Sequence, residues 1–193
     1  MSDASDVVSA FYDRLILRDL LGKVVPGSIV TVAAYAACLS TAPSLVATVI
    51  HLGQAPLGLW VVLASVGWFA GVALQAAGET LRVIRYYPRH VTLPEFMKGL
   101  VELHDASAQL RQAHERFVVI KEASGNGAVA IVVASVLIGL RMWRGQPLGH
   151  WWLGALALLV AVALFRMHRL HLDRQREWTR AVTEHGSKAA LPE

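Results

Sequence analysis

The chain has 193 residues, of which 55% are hydrophobic and only 17% are charged. A soluble domain of this length usually carries about 25% charged residues, so the composition argues against an ordinary soluble domain and favours a membrane protein. The net charge of +4 does not indicate nucleic-acid binding, because the lysines and arginines flank apolar runs, as they do in membrane proteins. The single cysteine, Cys38, excludes an intrachain disulfide and a CxxC metal site.

The N-terminal region, residues 1–23, is predicted to be an amphipathic interfacial helix. Apolar residues such as Val8 and Phe11 recur there at helical spacing, and acidic residues fall on the opposite side. We expect Gly22 and Pro26 to break or turn the chain into the first span, because glycine and proline both interrupt helices.

Residues 24–77 are predicted to contain transmembrane helices 1 and 2. The first uncharged run, 24–50, has 27 residues, and about 20 apolar residues cross the ~30 Å hydrocarbon core. Because Pro43 disfavours helix before it, we expect the first span to end near Thr41 and an interfacial segment to follow. The second span is the uncharged run 57–77, with arginines beyond its C-terminal end.

Residues 78–123 are predicted to form a cytoplasmic helical segment. The stretch TLPE at 92–95 matches a capping box, and apolar residues then repeat every seven positions, as in a helix that packs on another helix of the same chain or of a second copy. The stretch SGNG at 124–127 is expected to end this helix and to act as a hinge. The predicted cytoplasmic helix contact comprises Phe96, Leu100, Leu103, Leu110 and Phe117.

Residues 124–165 are predicted to hold transmembrane helices 3 and 4, in two uncharged runs of 17 residues each. Seventeen helical residues reach about 25 Å, a short span that flanking arginines extend by reaching to the interface. A re-entrant hairpin is the alternative. Residues 166–193 are expected to form a cytoplasmic C-terminal helix and tail.

The distribution of basic residues predicts the orientation. Of the 18 lysines and arginines, 16 fall in the N-terminal, middle and C-terminal polar regions, and the two interspan connections hold only the remaining two. The positive-inside rule then places both termini and the middle segment in the cytoplasm, in a multi-pass protein of the cell (inner) membrane. The predicted basic residues at the membrane interface are Arg82, Arg85, Arg89, Arg166 and Arg169.

The second span carries a GxxxG pair with a polar continuation on roughly one face. Small residues let helix backbones approach closely within membranes, and a buried glutamine can hydrogen-bond across such a contact. The alternative is ordinary packing within the chain, with the glutamate paired to Arg82 or Arg14. The predicted oligomer seam or pore lining comprises Gly67, Gly71, Gln75, Gly78 and Glu79.

No motif indicates catalysis, a cofactor or a metal. His168 and His171 are three apart on one predicted helix, and His104 and His114 lie on another, but no HExxH motif and no cysteine partner accompanies them. A surface or interface role is therefore favoured for these histidines. We expect the chain not to be an enzyme and to bind no cofactor.

The predicted fold is an all-α integral membrane protein, a four-transmembrane-helix bundle with an N-terminal amphipathic helix and cytoplasmic helical extensions. Three functions fit it: a homo-oligomeric membrane effector or channel-like subunit controlled through its cytoplasmic helices, a non-catalytic anchor or sensor that recruits a cytosolic protein, and a small transporter. The architecture resembles small four-helix membrane subunits of bacterial defence systems, which implies a role in disturbing the membrane when a partner signals. The expected partners are the lipid bilayer, further copies of the chain and a cytosolic protein, but no nucleic acid.

Overall fold

The computed structural model describes residues 18–38, 53–84, 98–99, 108–143 and 152–185. Nearly all of these residues are helical and none of them is in a β-strand, which confirms the all-α class for the described part of the chain. A π-helical turn, Leu20–Val24, leads into α1 (Val25–Cys38), and α2 (Leu57–Thr80), α3 (Ala108–Trp143) and α4 (Trp152–His185) follow. The predicted N-terminal helix up to residue 17, the Pro43 region and the capping box at 92–95 lie outside the described residues.

Four helical segments are long and apolar enough to cross a membrane: Leu20–Cys38, Leu57–Thr80, Gln112–Trp143 and Gly154–Trp178. This agrees with the prediction of a multi-pass membrane protein. The third and fourth helices are longer than a span requires, with 36 residues in α3 and 34 in α4. At 1.5 Å per residue they extend about 54 and 51 Å, against ~30 Å for the hydrocarbon core. Each therefore has a polar half that continues beyond its apolar half.

Helix α3 runs without interruption through residues 124–127, so the prediction that this stretch ends a helix and acts as a hinge is wrong. Its glycines allow a close approach of α4 instead. A Cβ on Gly125 would lie 2.7 Å from Nδ1 of His168, and one on Gly127 would lie 3.3 Å from Cδ1 of Leu164. Packing, and not backbone flexibility, accounts for these two glycines.

The chain also stays helical past Gly22 and Pro26, where a break or turn was expected. The π-helical turn accommodates the proline by widening the helix before it, since the Val25 N–H bonds to the Leu20 carbonyl five residues back. In a regular helix the ring of Pro26 would press on the carbonyl four residues before it. The wider turn relieves this crowding, and π-helical turns of this kind are frequent at functional positions.

The helices pack as a series in the order α2, α1, α3, α4. Helix α1 contacts both α2 and α3, and α4 packs chiefly on α3. Closure of the four helices into one bundle stays a prediction. Because α2 lies at one end of the series, it buries a single face and leaves large apolar side chains such as Phe69 exposed. Its buried residues are Gly67, Gly71, Leu74 and Gly78.

The C-terminal end of α2 is closed by a tight backbone reversal at Arg82, which has a φ of 57°. The Arg82 N–H bonds to the Glu79 carbonyl at 2.8 Å, and the Val83 N–H bonds to the Gly78 carbonyl at 2.9 Å. This pair of hydrogen bonds is the Schellman motif, whose left-handed residue is usually glycine. The side chain of Ile84 packs over Gly78 and completes the cap.

Candidate functional site

The predicted seam residues of α2 lie partly in a contact within the chain. A Cβ on Gly27 of α1 would overlap the carbonyl of Gly67 and lie 2.5 Å from the nitrogen of Gly71. Gly71 in turn meets the backbone of Lys23. The backbones of α1 and α2 therefore touch at these glycines, as the alternative of ordinary packing expects. An oligomer seam or pore lining at these residues stays a prediction.

The remaining seam residues are placed differently. Gly78 lies beneath Ile84 in the helix cap, Gln75 is half-buried and Glu79 is exposed. The charge of Glu122 on α3 acts on Glu79, so the C-terminal end of α2 lies within electrostatic reach of α3.

The predicted cytoplasmic contact is described at one side chain, that of Phe117. Its ring centroid lies 6.0 Å from that of His171 and 5.8 Å from that of Trp178, both in edge-to-face arrangements. This contact joins α3 and α4 of the same chain. Leu110 lies in α3, and Phe96, Leu100 and Leu103 lie outside the described residues. Among the predicted interface arginines, Arg82, Arg166 and Arg169 are exposed, and Arg85 and Arg89 fall outside the described residues.

The polar halves of α3 and α4 meet along a seam of buried polar side chains. Nζ of Lys121, a residue only 1% exposed, donates to Oε1 of Gln175 at 2.8 Å. Nε2 of Gln175 lies 3.3 Å from Nε2 of His114. Nδ1 of His168 lies 2.8 Å from the Lys121 carbonyl, and because a carbonyl only accepts, this nitrogen carries the proton. Three of the histidines thus lie in a helix–helix interface, as the favoured interpretation of their role predicts.

A second set of contacts ties the start of the first helix to α3. Arg18 donates to Glu122 through both arms of its guanidinium, Nε to Oε2 at 2.8 Å and Nη2 to Oε1 at 2.7 Å. The Glu122 side chain is only 5% exposed, whereas that of Arg18 is 50% exposed. Four residues further along α3, Nδ2 of Asn126 donates to the carbonyl of Gly22 at 2.6 Å. Two-point contacts of the arginine–carboxylate kind fix geometry as well as adding energy.

One further ion pair completes this region. Nζ of Lys23 donates to Oδ1 of Asp19 at 2.6 Å and lies 5.7 Å above the ring of Trp68. Desolvation alone would raise the pKa of Asp19, but the hydrogen bond and charge of Lys23 outweigh it and hold the pKa below its usual value. We call the following residues the polar layer: Arg18, Asp19, Lys23, Lys121, Glu122, Asn126, His168 and Gln175.

The polar layer lies at one end of the apolar parts of α1, α3 and α4. Beyond it, α3 continues to Arg141, whose Nη1 donates to the carbonyl of Ala36 near the far end of α1 at 2.9 Å. From Glu122 to Arg141 the helix rises about 29 Å, close to the ~30 Å thickness of the hydrocarbon core. The two polar levels therefore have the separation that two membrane interfaces require.

The hydrogen bonds and ion pairs of the polar layer hold the helices in register. No group of three or more potential metal ligands occurs among the described residues. Within the same residues, Oδ1 of Asn126 and Nδ1 of His171 are buried without a hydrogen-bond partner.

Sequence reasoning singled out the histidines but missed the residues that connect them. Lys121, Glu122 and Gln175 lie in stretches rich in charge, where a polar side chain is ordinarily exposed. Asn126 lies in the SGNG stretch, which predicted a helix end and not an interhelical contact. A detectable signal was the heptad spacing of His114, Lys121 and Ala128 on α3. A polar residue at such a position faces the partner helix.

The comparisons with known proteins give no relative: no family model, no curated protein and no solved structure matches the chain.

Proposed function

We propose that the chain is a homo-oligomeric membrane effector or channel-like subunit, whose cytoplasmic helices control the part that lies in the membrane. The observation that supports this most is the polar layer on two uninterrupted helices. Because α3 and α4 continue from their polar halves into their apolar halves without a break, a displacement of the polar halves is transmitted along rigid rods. The polar layer holds the resting arrangement.

The polar layer has the composition expected of contacts that hold one arrangement of the helices and can be released. The Arg18–Glu122 pair contributes little net stability compared with apolar side chains of similar volume, because the carboxylate loses its hydration and the half-exposed guanidinium keeps much of its own. It does specify one register, since any shift of α3 leaves Glu122 or Lys121 buried without its partner. A device that must release on a signal is better built from such contacts than from apolar packing.

The effector activity requires more than one copy of the chain. Hydroxyl groups in the apolar halves bond to helix carbonyls: Thr31 to Gly27 at 2.8 Å, and Ser65 to Val61 at 2.9 Å. The large space between α1, α2 and α3 is lined almost wholly by apolar side chains. A water-filled path would therefore form between copies and not within one chain. The exposed apolar face of α2 is the surface through which the copies would associate.

The second candidate is an anchor or sensor that recruits a cytosolic protein. It is favoured by the outward face of α4 beyond the apolar half, where charged residues are exposed. Exposed charges of both signs suit a polar, reversible contact better than a permanent one. These residues are Arg169, Asp173, Arg174 and Glu177.

Dye release from phospholipid vesicles that contain the purified chain separates the two candidates. We expect Glu122→Gln to weaken the contact of Arg18 with α3 and to raise the rate of dye release. The double variant Arg18→Glu/Glu122→Arg restores the ion pair with the charges exchanged and should lower the rate again. Glu177→Gln, which removes an exposed carboxylate from α4, is the matched control and should behave as the wild type.

Two results would contradict the effector. One is equal release from wild type, Glu122→Gln and the double variant, with all three folded by circular dichroism. The other is a detergent particle that holds a single 21.0 kDa chain, since a path between copies cannot form in a monomer. In either case the anchor and the small transporter remain.

A further inference from the structure

The polar halves of α3 and α4 enclose three histidine side chains. His114, His168 and His171 are only 7%, 2% and 7% exposed. Aromatic rings complete this interface, since Phe117 packs on both His171 and Trp178. A buried charge is costly unless it is paired, so the interface favours neutral imidazole rings.

The direction of the hydrogen bonds at His114 is fixed by Lys121. An ammonium group only donates, so the Gln175 atom that lies 2.8 Å from Nζ of Lys121 is its oxygen. The amide nitrogen of Gln175 therefore points to His114 and lies 3.3 Å from its Nε2. Because an amide nitrogen also only donates, Nε2 of His114 accepts and carries no proton. The neutral ring then holds its proton on Nδ1.

A second proton on His114 is incompatible with these two hydrogen bonds. It would bind at Nε2 and place a donor against the amide nitrogen of Gln175. A turn of the Gln175 amide does not remove the conflict, because the nitrogen would then face the Lys121 ammonium. Either orientation brings two buried donors together and loses a hydrogen bond, which is unfavourable.

The other two histidines differ from His114 in this respect. Nδ1 of His168 donates to the Lys121 carbonyl, and the protonated ring keeps this bond. Nδ1 of His171 is buried and has no hydrogen-bond partner among the described residues, so a proton on both of its nitrogens leaves a buried N–H without an acceptor. A proton therefore reverses an existing hydrogen bond at His114 but not at His168.

The charges around the histidines add to the cost of a further positive charge. Lys121 acts on both His114 and His168. Glu122 is buried in the same layer, but it is paired with Arg18. The cations that act on the three histidines are Lys121, Arg169 and Arg174. The acidic residues at exposed or half-exposed positions of these polar halves include Glu115, Asp173 and Glu177.

The pH range follows from a comparison of the packed and the separated helices. The packed helices hold His114 neutral, whereas a ring in water titrates near pH 6.5, as a free histidine does. The separated state therefore binds more protons, and the stability of the contact falls as the pH drops below about 6.5. Above this pH the contact has its full stability.

We infer that the interface of α3 and α4 is a pH-sensitive contact, in which proton uptake by His114 separates the polar halves of the two helices. Lys121 and Gln175 are positioning residues that keep Nε2 of His114 without a proton. The inference rests on the fold and not on effector activity. Combined with the proposed function, it names acid as a signal that releases the polar layer.

Distances between two spin labels, measured by pulsed electron paramagnetic resonance in detergent, test the separation. The labels are attached at exposed positions of the polar halves, to Gln112→Cys on α3 and Glu177→Cys on α4, in a Cys38→Ser background. We expect one narrow distance at about pH 8 and a shift to longer distances at about pH 5, across the range in which histidine titrates. The helix content, measured by circular dichroism, should stay unchanged.

Two substitutions assign the shift to one histidine. His114→Gln removes the titrating group but keeps an oxygen that can accept from Gln175, so the shift in acid should be lost. His168→Gln is the matched control: it removes a buried histidine whose hydrogen bond does not reverse, and it should keep the shift. The inference is overturned by the absence of a shift in the wild type, a full shift in His114→Gln, the loss of the shift in His168→Gln, or a loss of helix content in acid.

A second measurement does not depend on the folding of a variant. Nitrogen NMR of the wild type, labelled with ¹⁵N in its histidines and assigned through the backbone, reads the protonation of each ring nitrogen. At about pH 8, well above the usual titration of histidine, Nε2 of His114 should carry no proton and Nδ1 should carry one. The reverse tautomer would overturn the inference. If the helices separate in acid but vesicles at the same pH show no dye release, the effector fails and the pH-sensitive contact stands.

Discussion

The side-chain amide of Asn126 donates to the carbonyl of Gly22 at 2.6 Å, across the interface of α3 with the start of α1. This carbonyl lies four residues before Pro26, which has no N–H to donate to it. Asn126 therefore supplies the hydrogen bond that the proline cannot make. Asn126 therefore has two effects: it fixes α3 and α1 in register, and it compensates for the hydrogen bond that is missing at Pro26.

Removing this amide should destabilise the chain. Asn126→Ala leaves the Gly22 carbonyl without its donor, and we expect a loss of about 1–3 kcal/mol in the free energy of unfolding. In a Pro26→Ala background the backbone N–H returns, so the same substitution should cost less. A double-mutant cycle of unfolding in detergent measures the difference as a coupling energy. Equal losses in the two backgrounds would show that Asn126 does not compensate for Pro26.

Substitution of glycines in α3 tests whether the SGNG stretch carries glycine for close helix packing or for backbone flexibility. Gly125→Ala places a Cβ against the ring of His168, so we expect α3 and α4 to be forced apart at a cost of about 1–3 kcal/mol. Gly139→Ala, in the same helix but with nothing within 4 Å of the added Cβ, should instead stabilise by about 0.5–1 kcal/mol. Thermal unfolding of both variants decides the question. A stabilised Gly125→Ala variant would favour the hinge.

The left-handed conformation of Arg82 predicts a gain in stability from a glycine at this position. A residue with a Cβ pays roughly 1–2 kcal/mol in this conformation, so Arg82→Gly should raise the unfolding temperature. Arg82→Ala is the control, because it removes the same charge but keeps the Cβ. If both variants change stability equally, the effect comes from the charge and the strain at Arg82 is negligible.

Substitutions at the buried pair of Lys121 and Gln175 distinguish an effect on the free energy of unfolding from an effect on dye release. Lys121→Met alone removes a donor from Gln175 and should destabilise by about 1–3 kcal/mol. The double variant Lys121→Met/Gln175→Leu replaces the pair with apolar side chains, which is often neutral or stabilising. We expect it to unfold at a higher temperature than Lys121→Met alone, although the loss of the Gln175 amide also removes its contact with His114. In vesicles, adding Glu122→Gln to this double variant should not produce the increase in release that Glu122→Gln produces alone, because apolar packing then holds α3 and α4 together.

Retention of that increase in the Lys121→Met/Gln175→Leu/Glu122→Gln variant would indicate that the Lys121–Gln175 pair has no part in control. The unfolding measurement is made on the same preparations, so a misfolded variant is recognised separately from an inactive one.

Much of the fold was predictable because hydropathy and length are properties of single helices. The second span was expected at 57–77, and the structure has α2 at Leu57–Thr80. What could not be predicted was where helices continue. Gly125 and Gly127 carry the usual signal of a helix end, but in α3 the close approach of His168 and Leu164 outweighs that signal.

The candidate site was predictable only in part, since it depends on pairing between helices. The GxxxG pair at Gly67 and Gly71 predicted a close contact, and the sequence could not show that Gly27 of the same chain provides the partner. Lys121 lies in a stretch rich in charge, where exposure is the ordinary expectation. Its burial follows from the position of Gln175, 54 residues away along the chain.

We propose that four helices cross a membrane with the polar layer facing the cytoplasm. Single cysteines in a Cys38→Ser background test it in intact cells with a maleimide that does not cross membranes. We expect Gln54→Cys, in the connection before α2, to be labelled in intact cells, and Glu177→Cys, in the polar half of α4, to be labelled only after permeabilisation. Labelling of Glu177→Cys in intact cells, or recovery of the chain in the soluble fraction without detergent, would contradict the account.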